Sequence, residues 1–244
     1  MTVLVGFTST KHDLAFLGAD DRRSGGPPPQ GGGFWRSSKV NWVLNRFLVA
    51  TTGSTMTHEA ASYVGPFWPA ATSLRDGSSP PNPRTAGEFI EVVGTVLHHF
   101  VRSGVRAADQ HGIDLADEDT SSRLIVVDTR DKQRRIHDAR FGQLIPITRR
   151  YQPEHVEEYG PETLRRWGVG GPAGLGRLTD QIAGDPISWT RDQVERVRQE
   201  LLVPNNRTDA AGDLGTCMLF RSGRIEAFEP YDSLGDYLGQ QLML

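Results

Sequence analysis

The chain has 244 residues, with 27 lysines and arginines against 30 aspartates and glutamates and a formal net charge of -3. That length supports a sizeable core and is expected to form one domain spanning 1–244, while the charge balance excludes the basic footprint of a nucleic-acid binder. The single cysteine, Cys217, excludes an internal disulfide framework and suits a reducing compartment.

No apolar run approaches the roughly 20 residues that cross a bilayer. The start also lacks the basic segment and apolar core of a secretory leader, so a cytoplasmic protein without membrane partners is expected. In MTVLVGFTS, Val3, Val5 and Phe7 alternate with Leu4 and Gly6, the period of a strand buried from its first residue. The turn TKHD leads to a second strand, LAFLGAD, and then to SGGPPPQGGG, whose proline and glycine content fits a surface loop. KVNWV and FLVATTG read as two further strands joined by the tight turn LNR.

The pattern then changes period. THEAASYVGPFWPAATSL reads as a helix broken near Gly65 and Pro66, and SSPPNPR as a linker. TAGEFIEVVGTVLHHFVRSG is a helix opened by a capping box, Thr85 with Glu88, and striped by Phe89, Val92, Val93, Val96, Leu97 and Phe100. RLIVVD and RRIHDARF return to strand. Residues 151–185 are expected to hold short helical pieces around GVGGPAGLG. A second capped helix is expected from Thr190, with Gln193 reaching back and Val194, Val197 and Leu201 facing inward. GTCMLF and GRIEAF close around RSG as a hairpin. Strand blocks separated by helix pairs argue for an α+β class.

Several residues bear on chemistry. A threonine hydroxyl is a weak nucleophile, but a terminal threonine brings its own base, an α-amine whose reference pKa is about 7.7–8.0. Removal of Met1 before the small Thr2 would create that amine. A lysine nearby would lower the proton affinity of amine and hydroxyl, an aspartate would fix the lysine, and a glycine N–H would receive an oxyanion. The chain supplies Thr2, Asp20 in GADDRRS, Lys39 in SSKV and Gly53 in TTGS. Each also has an ordinary explanation: a penultimate residue, a turn cap, a solvated strand entry and a strand-to-helix turn.

The run TVLVGF…LGADDRRS…SSKVNWVLNRFLVATTGS resembles the N-terminal part of a proteasome β-type subunit, in the N-terminal-nucleophile hydrolase superfamily. The interval from Lys39 to Gly53 is the one that family shows. The resemblance implies a four-layer αββα sandwich of two antiparallel sheets flanked by helices. It implies catalysis by Thr2, Asp20 and Lys39 with Gly53 at the oxyanion, and no metal or organic cofactor. It also implies a peptide or unfolded-protein substrate, assembly into a homo-oligomeric ring, and a possible ATP-dependent unfoldase as partner.

Departures from that pattern are visible. ADDRR offers both Asp20 and Asp21, with the register against Arg22 favouring Asp20. The family's glycine-serine loop is matched by GVGG, with Gly170 and Gly171 and no serine. For the later aspartate-serine pair the nearest candidates are Asp209 and Asp213. A non-catalytic scaffold and a small-molecule amide hydrolase are therefore the competing expectations. GVGGPAGLG is not read as a nucleotide-binding turn, since ETLRRW precedes it where a strand is required. His98 and His99, adjacent on a helix, diverge and are expected to be one packed and one surface residue, not a metal pair.

Overall fold

The computed structural model describes residues 2–24, 34–36, 38–68, 71, 83–112, 121–143, 152–168, 172–205 and 213–228. From the N-terminus come β1 (Val3–Ser9), β2 (Leu14–Asp20), β3 (Arg22–Ser24), β4 (Phe34–Arg36), β5 (Val40–Val43) and β6 (Phe47–Gly53). Helices α1 (Thr55–Val64) and α2 (Ala86–Gln110) follow, then β7 (Ser122–Asp128), β8 (Ile136–Phe141) and β9 (His155–Tyr159). The remainder is β10 (Thr163–Gly168), β11 (Ala173–Arg177), α3 (Asp180–Gly184), α4 (Pro186–Asn205), β12 (Leu214–Arg221) and β13 (Arg224–Phe228). Two large antiparallel sheets, a two-stranded β3-β4 ribbon and four helices among the described residues make the α+β class. The proline-rich stretch after Ser24 and residues 78–82 of the linker lie outside the described residues.

The chain divides into two compact units, Met1–Val40 with Pro161–Leu244, and Asn41–Gly160. The first holds a six-stranded sheet in the order β11-β10-β1-β2-β12-β13. Every residue of β1 and β2 is buried, which is why both read as strands from sequence. Val5, Phe7, Phe16, Leu164 and Leu219 pack with Ile182, Ile187 and Trp189, while Val3 meets Val194 and Val197 of α4. Cys217 lies in this core, and burial pushes its thiol up to about 12, so it is protonated and unreactive at neutral pH.

The second unit holds the sheet β5-β6-β7-β8-β9. Its β5–β6 turn uses Leu44 and Asn45 at φ 56° and 50°, the left-handed geometry of a tight hairpin. Phe47, Val49, Leu124 and Val126 pack against Phe89, Val92, Val93, Val96 and Leu97 of α2, with Phe47 stacked on Phe89 at 4.8 Å. The capping box is half as expected. Thr85 Oγ1 accepts from Glu88 N at 3.2 Å, but Glu88 Oε2 accepts from Arg84 N at 2.7 Å, one residue before the cap. α1 ends at Val64 before Gly65 and Pro66, as its sequence requires.

His137 on β8 faces Glu158 on β9. Burial is the largest influence on its imidazole and holds the pKa below the ordinary 6.5, against the pull of Glu158. The unfolded chain therefore binds more protons as pH falls through that value, and stability should decline below about pH 7. Urea unfolding at about pH 7.5 and about pH 5.5 tests this; a flat profile, or one unchanged by His137→Gln, would remove His137 as the cause.

Three expectations are corrected here. Residues 151–185 carry β9, β10 and β11, with only the short α3 as helix. On β10, Leu164 and Trp167 point to opposite faces, Leu164 toward Phe7 and Trp167 toward Gly6. α4 begins at Pro186, not at Thr190. Proline suits a first helical position, and Asp185 Oδ1 accepts from Ser188 N at 3.1 Å as its cap. Thr190 is interior, its hydroxyl donating to Pro186 O at 2.8 Å. The side chain of Leu201 lies outside the described residues. GVGGPAGLG does follow on from a strand, β10, but its AGLG already lies in β11, where a nucleotide-binding turn needs a helix.

Candidate functional site

β1 and β2 pair with Leu4 opposite Ala19, which brings the first residue of β1 beside the last residue of β2. Asp20 uses that position. Its Oδ1 accepts the Val3 backbone N–H at 2.7 Å and the Lys39 ammonium at 2.8 Å. Asp20 is 0% exposed and Lys39 3%, so the ion pair is held out of water. Burial on that scale is tolerated because each charge answers the other and the second donor completes the carboxylate oxygen. Lys39 stands just before β5, where Ser38 Oγ donates to Val40 O at 2.8 Å and shapes the strand entry.

Thr2 is half-buried and joined to Val3. Because Lys39 Nζ and Val3 N meet on one oxygen, they are no farther apart than the two hydrogen bonds laid end to end. The geometry therefore gathers Thr2, Asp20 and Lys39 at one end of the first sheet. A fixed ammonium at this distance favours deprotonated forms of nearby amines and hydroxyls.

The opposite wall is Gly168, the end of β10, paired with Val3 and held at φ +124°. A Cβ there would fall inside the van der Waals shell of the Thr2 carbonyl oxygen. Gly168→Ala should displace Thr2 and cost on the order of 1–3 kcal/mol from backbone strain alone. Thermal unfolding together with amide exchange at Val3 measures both effects; wild-type values for each would show that Thr2 is not seated by this glycine.

The ambiguity between Asp20 and Asp21 resolves geometrically, since Asp20 carries the lysine. Asp21 Oδ1 instead accepts from Asp213 N at 3.0 Å, and Asp21 N donates to Asp213 O at 3.0 Å. Both carboxylates thus already accept hydrogen bonds from N–H donors. Among the described residues no group of three His, Cys, Asp or Glu side chains gathers as a metal site. Gly170, Gly171 and Asp209 lie outside the described residues. Gly53 ends β6 in the second unit at φ +87°, where a Cβ would collide with the Ser121 carbonyl. That turn alone requires glycine, so its presence is no sign of an oxyanion role. His98 and His99 are both half-buried, their rings edge-to-face at 5.7 Å, not one packed and one exposed.

Sequence reasoning did not single out Gly168, the Val3 amide or Arg198, whose Nη1 lies 2.8 Å from Asp213 Oδ1. Nothing local marks them; each acquires its role through pairing with a distant strand or loop.

No helix among the described residues is long and apolar enough to cross a membrane. No family model matches the chain, and no curated protein matches it. Among solved structures it is similar to Anbu from Hyphomicrobium sp. strain MC1. A Gly-1 mutant of that protein matches at 13% identity over 100% of this chain and 94% of the other, with a TM-score of 0.48. A second Anbu structure matches at 11% identity over 100% and 94%, with a TM-score of 0.47. A likeness at this level leaves fold and activity to be argued from the chain's own geometry. The resemblance to a proteasome β-type subunit is accordingly corrected: the N-terminal run carries that family's spacing, yet no family model matches the chain, and the two solved structures named here are of Anbu.

Proposed function

We propose that the chain is a threonine-type peptidase in which removal of Met1 exposes Thr2 as an N-terminal nucleophile. Thr2 Oγ1 attacks a peptide carbonyl while its proton passes to the α-amine. The amine then protonates the departing nitrogen as the C–N bond breaks, leaving an ester on Thr2. Water, deprotonated by the same amine, cleaves the ester and restores the hydroxyl. Lys39 tunes the amine and Asp20 anchors Lys39. The observation that carries this reading is the convergence of Lys39 Nζ and Val3 N–H on Asp20 Oδ1 beside Thr2.

The same proposal includes peptide or unfolded-protein substrates, a homo-oligomeric ring, delivery by an ATP-dependent unfoldase and a cytoplasmic location. It also includes the four-layer αββα arrangement.

Intact mass spectrometry before and after a peptide β-lactone tests the chemistry. Loss of Met1 and an adduct mapped to Thr2 are expected. A retained Met1, or no adduct at any pH, would end the reading. One observation favours a non-catalytic scaffold instead: the Asp20–Lys39 pair is as deeply buried as a purely structural ion pair. Turnover of simple acyl amides but not of peptides would move the substrate to small molecules.

A further inference from the structure

We propose that Asp21, Asp213 and Arg198 are positioning residues for the Thr2 centre, clamping the Asp20–Lys39 pair to helix α4; this rests on the reading of Thr2 as the nucleophile. Asp20 Oδ1 must hold two donors at once, so a small rotation of its backbone disturbs both bonds. On one side that backbone is fixed by the β1 ladder. On the other, the ladder to β12 is interrupted, its register shifting between Leu214 and Cys217.

The clamp secures Asp20 from the other side of that shift, pairing the next residue outward on each strand. Asp21 and Asp213 exchange two hydrogen bonds, amide to carbonyl and amide to carboxylate, both at 3.0 Å. Gly215 lets the strand press in, since a Cβ there would stand 2.7 Å from Asp21 N and 2.8 Å from Asp20 C. Asp213 is held in turn by Arg198 at 2.8 Å, and Arg198 follows Val197, which packs with Val194 on Val3. One helix therefore touches the site from both sides, at Val3 by apolar contact and at Asp20 through Arg198, Asp213 and Asp21. Asp21 is itself only 3% exposed, so its carboxylate is committed to this contact and not to solvent.

The test uses the full chain with Asp21→Ala, Asp21→Asn and Arg198→Met. Two quantities are read: the pH profile of Thr2 acylation by a peptide β-lactone, and amide exchange at Val3 relative to Val5. Asp21→Ala should slow acylation by at least about tenfold, displace its pH profile and speed exchange at Val3. Asp21→Asn keeps an acceptor oxygen and should restore all three. A fall in melting temperature with wild-type Val3 exchange and an unmoved profile would overturn the positioning role. Should Asp21→Ala fail to fold, Arg198→Met, which cuts the clamp at its outer end, decides by the same comparison. If the wild type is not acylated, the peptidase reading falls while Val3 exchange still judges the clamp.

Discussion

Thr2→Ala should abolish amide hydrolysis and electrophile labelling, a loss on the order of 10⁴-fold or more, in a protein that still folds. Alanine is also a small second residue, so Met1 is still expected to leave and the variant removes the hydroxyl alone. The Thr2 side chain belongs to neither apolar cluster of the first unit, while Val3 and Val5 supply the packing next to it. Its loss should shift stability by about 0.5 kcal/mol or less, roughly 1 °C in melting temperature for a chain of this size. Thr2→Ser retains a hydroxyl and should keep measurable acylation. Hydrolysis by Thr2→Ala at a rate near wild type would dismiss the nucleophile outright; loss of folding would show that the residue is structural.

What the sequence disclosed follows from where its side chains lie. β1, β2, β6 and β7 are buried nearly throughout, so their apolar runs announce strands without ambiguity. β9 and β11 present mostly exposed or half-buried residues and few large apolar ones, leaving no alternation to detect. α4 hides its start because Pro186 and Asp185 form the cap while Thr190 and Gln193 imitate one inside the helix. At the site, Asp20 and Lys39 were legible because a terminal threonine needs a cation and a carboxylate to fix it, and the chain offers both after Thr2; their burial was not legible. Which of two adjacent aspartates meets the lysine is decided by pleat and register, and by Asp213 arriving from the far end of the chain. Gly168 gains its meaning only when β10 pairs with β1.

Lys39→Ala should cost more than rate. Removing the ammonium leaves the Asp20 carboxylate buried with its ionic partner gone, a change worth about 3–5 kcal/mol, or a fall of roughly 10 °C in melting temperature. A loss of activity in that variant alone therefore does not separate chemistry from folding. Pairing Lys39→Met with Asp20→Asn does, because two neutral side chains of similar size remove the charges together. The double variant should recover most of the lost stability, and the carboxamide oxygen left by Asp20→Asn would still accept the Val3 N–H. Acylation of Thr2 should nevertheless remain depressed by at least about 10²-fold, since no cation then lowers the proton affinity of the amine. Thermal unfolding and β-lactone labelling across pH read the two effects separately. A double variant that labels at the wild-type rate would make the buried pair a structural device only; a single Lys39→Met variant as stable as wild type would mean that Asp20 is not held out of water by its lysine.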